Sequence, residues 1–254
     1  MAGFLIRWLE ETDSTNSQIS REKGTLDNFS CVAASVQRSG RGQRGNSWES
    51  EGGANLTFSL LFRPEMIHVQ EQFIVSEAVA LAVADYLKAN GVEASIKWPN
   101  DIYVSDSKIC GILIENSLDG DRLADCIIGI GLNVNQTSFS PSLPNPVSLK
   151  LITGRTFNLE DELRTLHAFL VEYLSKLGSF RERNSLDARY LENMYRRGQW
   201  CGYEEMPASE VPTEKRAGKR FNARILGIDN SARLLLERTD GTVSHYSFKE
   251  IKYI

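Results

Sequence analysis

The apolar positions along the 254 residues fall into two textures. Phe4 to Leu9 reads as a strand, and Thr12-Asp-Ser-Thr-Asn16 then has the form of a cap opening a short helix through Arg21. Ser30 to Val36 is a short apolar strand. Asn55 to Phe62 alternates as a strand should, and Pro64 stops it. Between these two strands, Gln37 to Gly53 is a loop with five glycines and several arginines. From about 69 to 89 the spacing predicts a helix with Phe73, Ala80, Leu81, Ala84 and Leu87 on one face and Gly91 as its stop. Strands are expected at Ala94 to Lys97, Ile102 to Ser105, Lys108 to Ser117 and Asp125 to Asn133. Helices are expected at about Leu159 to Arg181 and Leu186 to Arg197. After Gly198 only short strands and turns remain: Phe221 to Gly227, Arg233 to Arg238 and Thr242 to Phe248. The pattern predicts an α+β fold, a mixed β-sheet with helices over residues 1–198, followed by a small β-barrel over 199–254.

Composition narrows the class without naming it. Apolar residues at 41% and charged residues at 24% suit a folded globular chain. A net charge of -4 argues against a general nucleic-acid binder. The four cysteines (Cys31, Cys110, Cys126, Cys201) lie far apart with no histidine cluster, which predicts reduced buried thiols and no resident metal site. No apolar run approaches the roughly 20 residues of a membrane span. The N-terminus lacks the apolar core of a signal peptide, so a cytoplasmic location is expected.

Four motifs carry chemistry. The loop Ser39-Gly-Arg-Gly-Gln-Arg-Gly-Asn-Ser-Trp48 contains G-x-G-x-x-G, but its third glycine runs into Asn-Ser-Trp-Glu-Ser-Glu-Gly-Gly, which cannot open a helix. The dinucleotide-fold reading therefore fails. What remains is either a mobile loop whose amides and guanidiniums wrap an anion, or a solvated turn with Trp48 in the core. Lys97-Trp-Pro-Asn-Asp101 gathers a lysine, an amide and a carboxylate at a strand end. Such a set can serve phosphate, base or ribose, and Mg²⁺, or simply form a β-turn. Lys108-Ile-Cys-Gly-Ile-Leu-Ile-Glu115 opens an apolar strand with a lysine, either paired to an anionic ligand or snorkelling at an edge. Gly129-Ile-Gly-Leu-Asn133 places two glycines on one strand face, as a floor for a planar ligand or as a tight strand crossing.

In order and approximate spacing, Asp13-Ser-Thr-Asn16 and these four motifs resemble the biotin–protein ligases over the first 135 residues or so. The C-terminal segment resembles that family's small SH3-like domain, and the first resembles its catalytic domain, related to class II aminoacyl-tRNA synthetases. The resemblance implies biotin contacts from Ser14, Thr15, Asn16, Gln37, Gly40, Arg41, Gly42, Gln43, Lys108, Gly111 and Gly129. It implies nucleotide contacts from Arg44, Trp48, Lys97, Asn100, Asp101, Asn133 and Glu250, with Lys108, Arg41 and Asp101 closest to the chemistry. Gln43 and Asn46 stand where the family often has arginine, and Lys249 where glycine is common.

The activity so implied is ATP- and Mg²⁺-dependent formation of biotinyl-5′-AMP, then transfer of biotin to a lysine of a biotin carboxyl carrier protein. A homodimer through an open sheet edge is implied by the same resemblance. Two alternatives remain open: a lipoate or octanoate ligase or transferase on the related fold, and a catalytically dead biotin-binding protein. A biotin-sensing repressor would need an N-terminal helix-turn-helix, for which the early first strand leaves no expected room.

Overall fold

A computed structural model describes residues 5–206 and 218–254, without the Arg44 side chain. The chain divides into two compact units, Met1–Tyr190 and Leu191–Ile254. The sequence texture placed the change at 199. Within the second unit, the residues after Leu191 are joined to the sheet by Gly198 N donating to Ile225 O at 3.0 Å.

The first unit is built on a seven-stranded sheet. Its strands are β1 (Ile6–Thr12), β2 (Cys31–Gln37), β3 (Leu56–Phe62), β4 (Ser95–Lys97), β5 (Asp101–Val104), β6 (Ser107–Asp119) and β7 (Arg122–Leu132). They lie in the order β1-β2-β3-β7-β6-β5-β4. Only β1 and β2 run parallel; every other neighbour is antiparallel. Helix α1 (Thr15–Glu22) crosses one face, where Ile19 packs with Val32, Leu61 and Ile127. Helices α2 (Phe73–Ala89) and α4 (Leu159–Ser175) pack on each other, and α3 (Leu149–Thr153) and α5 (Phe180–Glu192) complete the helices.

Local chemistry explains the element ends. Gly91 at φ +79° follows α2, as a left-handed helix stop requires. Asn158 caps α4 by accepting from Glu160 N and Asp161 N. The helix expected to run from 159 to 181 stops at Ser175 and tightens into a 3₁₀ turn at Lys176–Gly178 before α5 begins. The helix expected from 69 begins at Phe73, because Val69–Glu71 forms a separate 3₁₀ turn. Cys31, Cys110 and Cys126 are buried free thiols, and burial pushes all three well above the ordinary cysteine range, to about 12 for Cys126.

The second unit is a five-stranded antiparallel sheet in the order β11-β10-β9-β8-β12. Its strands are β8 (Trp200–Glu205), β9 (Arg220–Ile228), β10 (Leu234–Arg238), β11 (Val243–Tyr246) and β12 (Ile251–Tyr253). Tyr203, Ala223, Ile225, Leu234, Leu236 and Tyr246 are buried in it, with Phe221 stacked between Tyr203 and Tyr246. This is the small C-terminal β domain the sequence led us to expect.

Candidate functional site

Strand register assembles the site. One row across the sheet runs Thr57–Gly131–Gly111–Asp101–Lys97, and the adjacent row runs Ser59–Gly129–Leu113. Side chains on a strand alternate faces, so Gly129 and Gly131 share the face that carries α1. On this face the glycines leave bare backbone. The Trp48 indole lies on it: a Cβ added at Gly131 would come within 2.6 Å of Cζ2, and one at Gly111 within 2.9 Å of Cζ3. Asn16 covers Gly129 in the same way, its Cγ 3.0 Å from where a Cβ would sit. The glycines are therefore a floor, and the floor is already furnished with an aromatic plane and an amide.

Lys108 reaches this face through an irregularity. Simple alternation from Gly111 would send Lys108 to the opposite side. The β5–β6 register shifts between Ile102 and Tyr103, so the extra residue turns Lys108 inward. Its Cε then lies 3.4 Å from the Gly111 Cβ position and its Nζ is 2.7 Å from Asp101 Oδ1. The Nζ also stands 5.5 Å from the Trp48 ring centroid. Lys97 Nζ is 3.0 Å from Tyr103 Oη, and Asn100 is tied to β6, with Nδ2 2.5 Å from Ile112 O. The Trp98–Pro99 peptide between them is cis.

The opposite end of the floor is a polar pocket at the start of α1. Ser14, Thr15 and Asn16 are all buried. Gln37 Oε1 accepts from Thr15 N at 2.8 Å and from Thr15 Oγ1 at 3.2 Å. Ser59 Oγ lies 2.5 Å from Asn16 Oδ1 and 2.7 Å from Thr15 Oγ1. Asn16 Nδ2 donates to Glu115 Oε2 at 2.7 Å. The helix start is steadied from outside by Asp13, which accepts from Ser14 N and from Arg21. That guanidinium, with the amide's help, holds the Asp13 carboxyl well below the usual carboxylate range.

The glycine-rich loop is a closed hairpin. Trp48 N donates to Gly40 O at 3.0 Å, Gly42 N donates to Asn46 O at 2.7 Å, and Gln43–Gly45 makes one 3₁₀ turn. Gly40 has no room for a side chain, since a Cβ would stand 2.5 Å from Trp48 O. Asn46 serves the hairpin through its backbone. Arg41 leaves the hairpin to meet Glu115 with both terminal nitrogens, each 2.9 Å from a carboxylate oxygen. The Arg44 side chain lies outside the described residues.

The structure thus gathers Ser14, Thr15, Asn16, Gln37, Gly129, Gly111, Lys108, Asp101, Trp48 and the Gly40–Gln43 segment on one sheet face or at its rim. Asn133, at the end of β7, is buried and donates from Nδ2 to Val147 O at 3.0 Å. Glu250 lies in the second unit, where its carboxylate accepts from Ser247 N at 2.7 Å. Two residues of the site escaped sequence reasoning. Ser59 is a hydroxyl in an apolar strand, on the same alternation as Thr57, and that phase was its only signal. Glu115 was visible as a motif position without a partner. Among the described residues no group of three potential metal-binding side chains occurs.

An aromatic plane on a glycine floor, with a lysine–carboxylate pair at one end and a crowded amide–hydroxyl pocket at the other, suits an elongated ligand. Its tail would be anionic, and its head would both donate and accept hydrogen bonds. Comparison with known proteins points the same way. Residues 8–133 match the model of the Biotin/lipoate A/B protein ligase family. The bifunctional ligase/repressor BirA of Escherichia coli is 30% identical over 98% of this chain and 74% of its own length. The biotin--[acetyl-CoA-carboxylase] ligase of Paracoccus denitrificans is 32% identical over 68% of this chain and 74% of its own length. The BirA of Bacillus spizizenii is 31% identical over 89% of this chain, which spans 65% of that relative. In fold, the biotin protein ligase of Aquifex aeolicus solved with biotin and ATP superposes with a TM-score of 0.77 at 23% identity, covering 98% of each chain. With the motifs, the floor they build and relatives matched along nearly the whole sequence, this chain belongs to the biotin–protein ligases of the biotin/lipoate A/B protein ligase family.

Proposed function

We propose that this chain activates biotin with ATP and transfers it to a lysine of a biotin carboxyl carrier protein. The observation that carries the reading is the Lys108–Asp101 pair set beside the Gly111–Gly131 floor, with the Thr15–Asn16–Gln37–Ser59 pocket at the far end. In this reading the ureido head of biotin meets Ser14, Thr15, Asn16 and Gln37. Its body runs past Asn16 and Trp48 where they cover Gly129 and Gly111, and its carboxylate reaches Lys108. A carboxylate oxygen then attacks the α-phosphorus of ATP: an acyl–O–P bond forms, the bond to pyrophosphate breaks, and pyrophosphate departs. The ammonium of Lys108 offsets the negative charge that gathers there, while the guanidinium of Arg41, expected beside it, is paired with Glu115 at the pocket end. Trp48 offers a stacking face to the adenine, and Lys97, Asn100 and Asn133 complete the proposed nucleotide contacts.

Magnesium fits the donor set as an ion carried mainly by the nucleotide phosphates, with Asp101 as the protein carboxylate able to meet it. When bound it would supply charge neutralisation. In the second step the carrier's amine attacks the acyl carbon, AMP leaves, and Asp101 takes the amine's proton. The Gly40–Trp48 hairpin shields the mixed anhydride from water between the steps.

No helix among the described residues is long and apolar enough to cross a membrane. A cytoplasmic location and a homodimer through an open sheet edge belong to the proposal. The deciding experiment incubates the protein with Mg-ATP and biotin, with and without a carrier domain, and follows pyrophosphate and carrier mass. Pyrophosphate only with biotin and one biotin gained per carrier is the expected result. Turnover with lipoate or octanoate instead would reassign the substrate within the same family.

A further inference from the structure

Glu115 stands where two parts of the site meet. It follows Gly111 and Leu113 on the floor face of β6, opposite Ile127, whose side chain packs under α1. Its Oε2 receives Asn16 Nδ2 at 2.7 Å and Arg41 Nη2 at 2.9 Å, while its Oε1 receives Arg41 Nη1 at 2.9 Å. Asn16 belongs to the polar pocket and Arg41 to the glycine-rich hairpin, so one carboxylate holds an element of each.

The contacts are of unequal kind. Asn16 has two ends to satisfy. Its Oδ1 is taken by Ser59 at 2.5 Å, and besides Glu115 its Nδ2 finds, among the described residues, only Leu113 O at 3.4 Å. A negative acceptor at Glu115 thereby decides which way the amide faces over Gly129. Arg41 leaves the hairpin with both terminal nitrogens committed to that carboxylate, and its one other hydrogen bond among the described residues is to Ser17 Oγ at 3.4 Å. The ion pair is 44% and 38% exposed at its two side chains, so it adds little to global stability. Its consequence is geometric: it gives a nine-residue hairpin, whose Trp48 indole rests on Gly111 and Gly131, a second fastening to the sheet, beside the pocket.

We infer that Glu115 is a positioning residue that couples the two, orienting the Asn16 amide for the ligand's head and tethering the hairpin that covers the ligand's tail. Its effect on catalysis rests on the proposed biotin-activating function; its tether of the hairpin does not. An occupied pocket and a seated hairpin therefore favour each other through this carboxylate, and the activated acid is retained because both hold at once.

Two variants separate the contacts. Glu115→Gln keeps an acceptor oxygen for Asn16 but removes the charge that grips Arg41. Glu115→Ala removes both. With ligand-free protein, trypsin should cut the 40–48 hairpin several-fold faster in either variant than in the wild type, while the melting temperature stays put. With biotin and Mg-ATP, both variants should release several-fold more acyl-adenylate into solution. Only the Ala variant should also raise the KM for biotin, by about tenfold for the loss of a hydrogen bond to a charged group. Wild-type cleavage rates in Glu115→Gln would overturn the tether. Equal KM increases in the two variants would overturn the division of labour. A wild-type protein that makes no adenylate would sink the biotin reading while leaving the proteolysis result to judge the tether.

Discussion

Gly131 and Trp48 are in direct contact: the indole lies on the bare backbone of the strand, and no Cβ could be added without striking Nε1 or Cζ2. The indole Nε1 is buried and has no hydrogen-bond partner among the described residues. A buried donor without a partner is costly, and a ligand that offered an acceptor there would relieve it. Gly131→Ala should lift Trp48 off the floor and lower kcat/KM for pyrophosphate release by about 10- to 100-fold, the scale of an overpacked site. Gly24→Ala, where a Cβ meets nothing within 4 Å, is the control and should behave as wild type. Tryptophan fluorescence compared with Trp48→Phe would report whether the indole has moved.

Gly129→Ala tests the other end of the floor. The added methyl would drive into Asn16, whose amide is held between Ser59 and Glu115. The expected outcome is a higher KM for biotin with little change in the KM for ATP. Parallel increases in both would place Asn16 away from the acid's head.

Lys108→Ala removes the ammonium beside Asp101 and should reduce the rate of pyrophosphate release by about 10²- to 10³-fold, as for one donor lost from a charge-stabilising site. Lys108→Arg keeps the charge but widens it over Gly111 and should recover only part of the rate. Single-turnover measurements with and without carrier would show whether the loss falls on adenylate formation or on transfer.

Burial carries a pH signature away from the site. Glu77 on α2 is 3% exposed, and burial, aided by the nearby Asp187 carboxylate to which it is hydrogen-bonded, pushes it up to about 8. A carboxyl whose pKa is higher folded than unfolded favours the fold while protonated. That stability is present in full below about 4.5, the unfolded value, and declines as pH rises to 8. Melting temperature should therefore fall from pH 5.5 to 8.5, by an amount on the order of a few kcal/mol in stability. In Glu77→Gln this part of the pH slope should vanish. Identical slopes in the two proteins would show that Glu77 does not carry it.

Much of this was legible in the chain. The strand at Leu56–Phe62, the two glycines spaced by one residue in β7, the lysine opening β6 and the start of α1 after Ser14 all lie where local pattern put them. Leu56–Phe62 is, however, buried along its whole length instead of alternating, and Ser14 makes no side-chain cap. Local periodicity specifies which face a residue takes within a regular element, and that suffices for a strand floor such as Gly129 and Gly131. The chain alone also carried the motif set that marks the family. Tertiary structure decided what stands opposite what. The row Thr57–Gly131–Gly111–Asp101–Lys97 joins five strands, and register between strands is set by long-range packing rather than by any one segment. The inward turn of Lys108 depends on a register shift that simple alternation would place on the wrong face. Ser59 and Glu115 gained their parts only when α1 and the hairpin folded over them, because the value of a polar side chain lies in the partner that tertiary packing brings within reach.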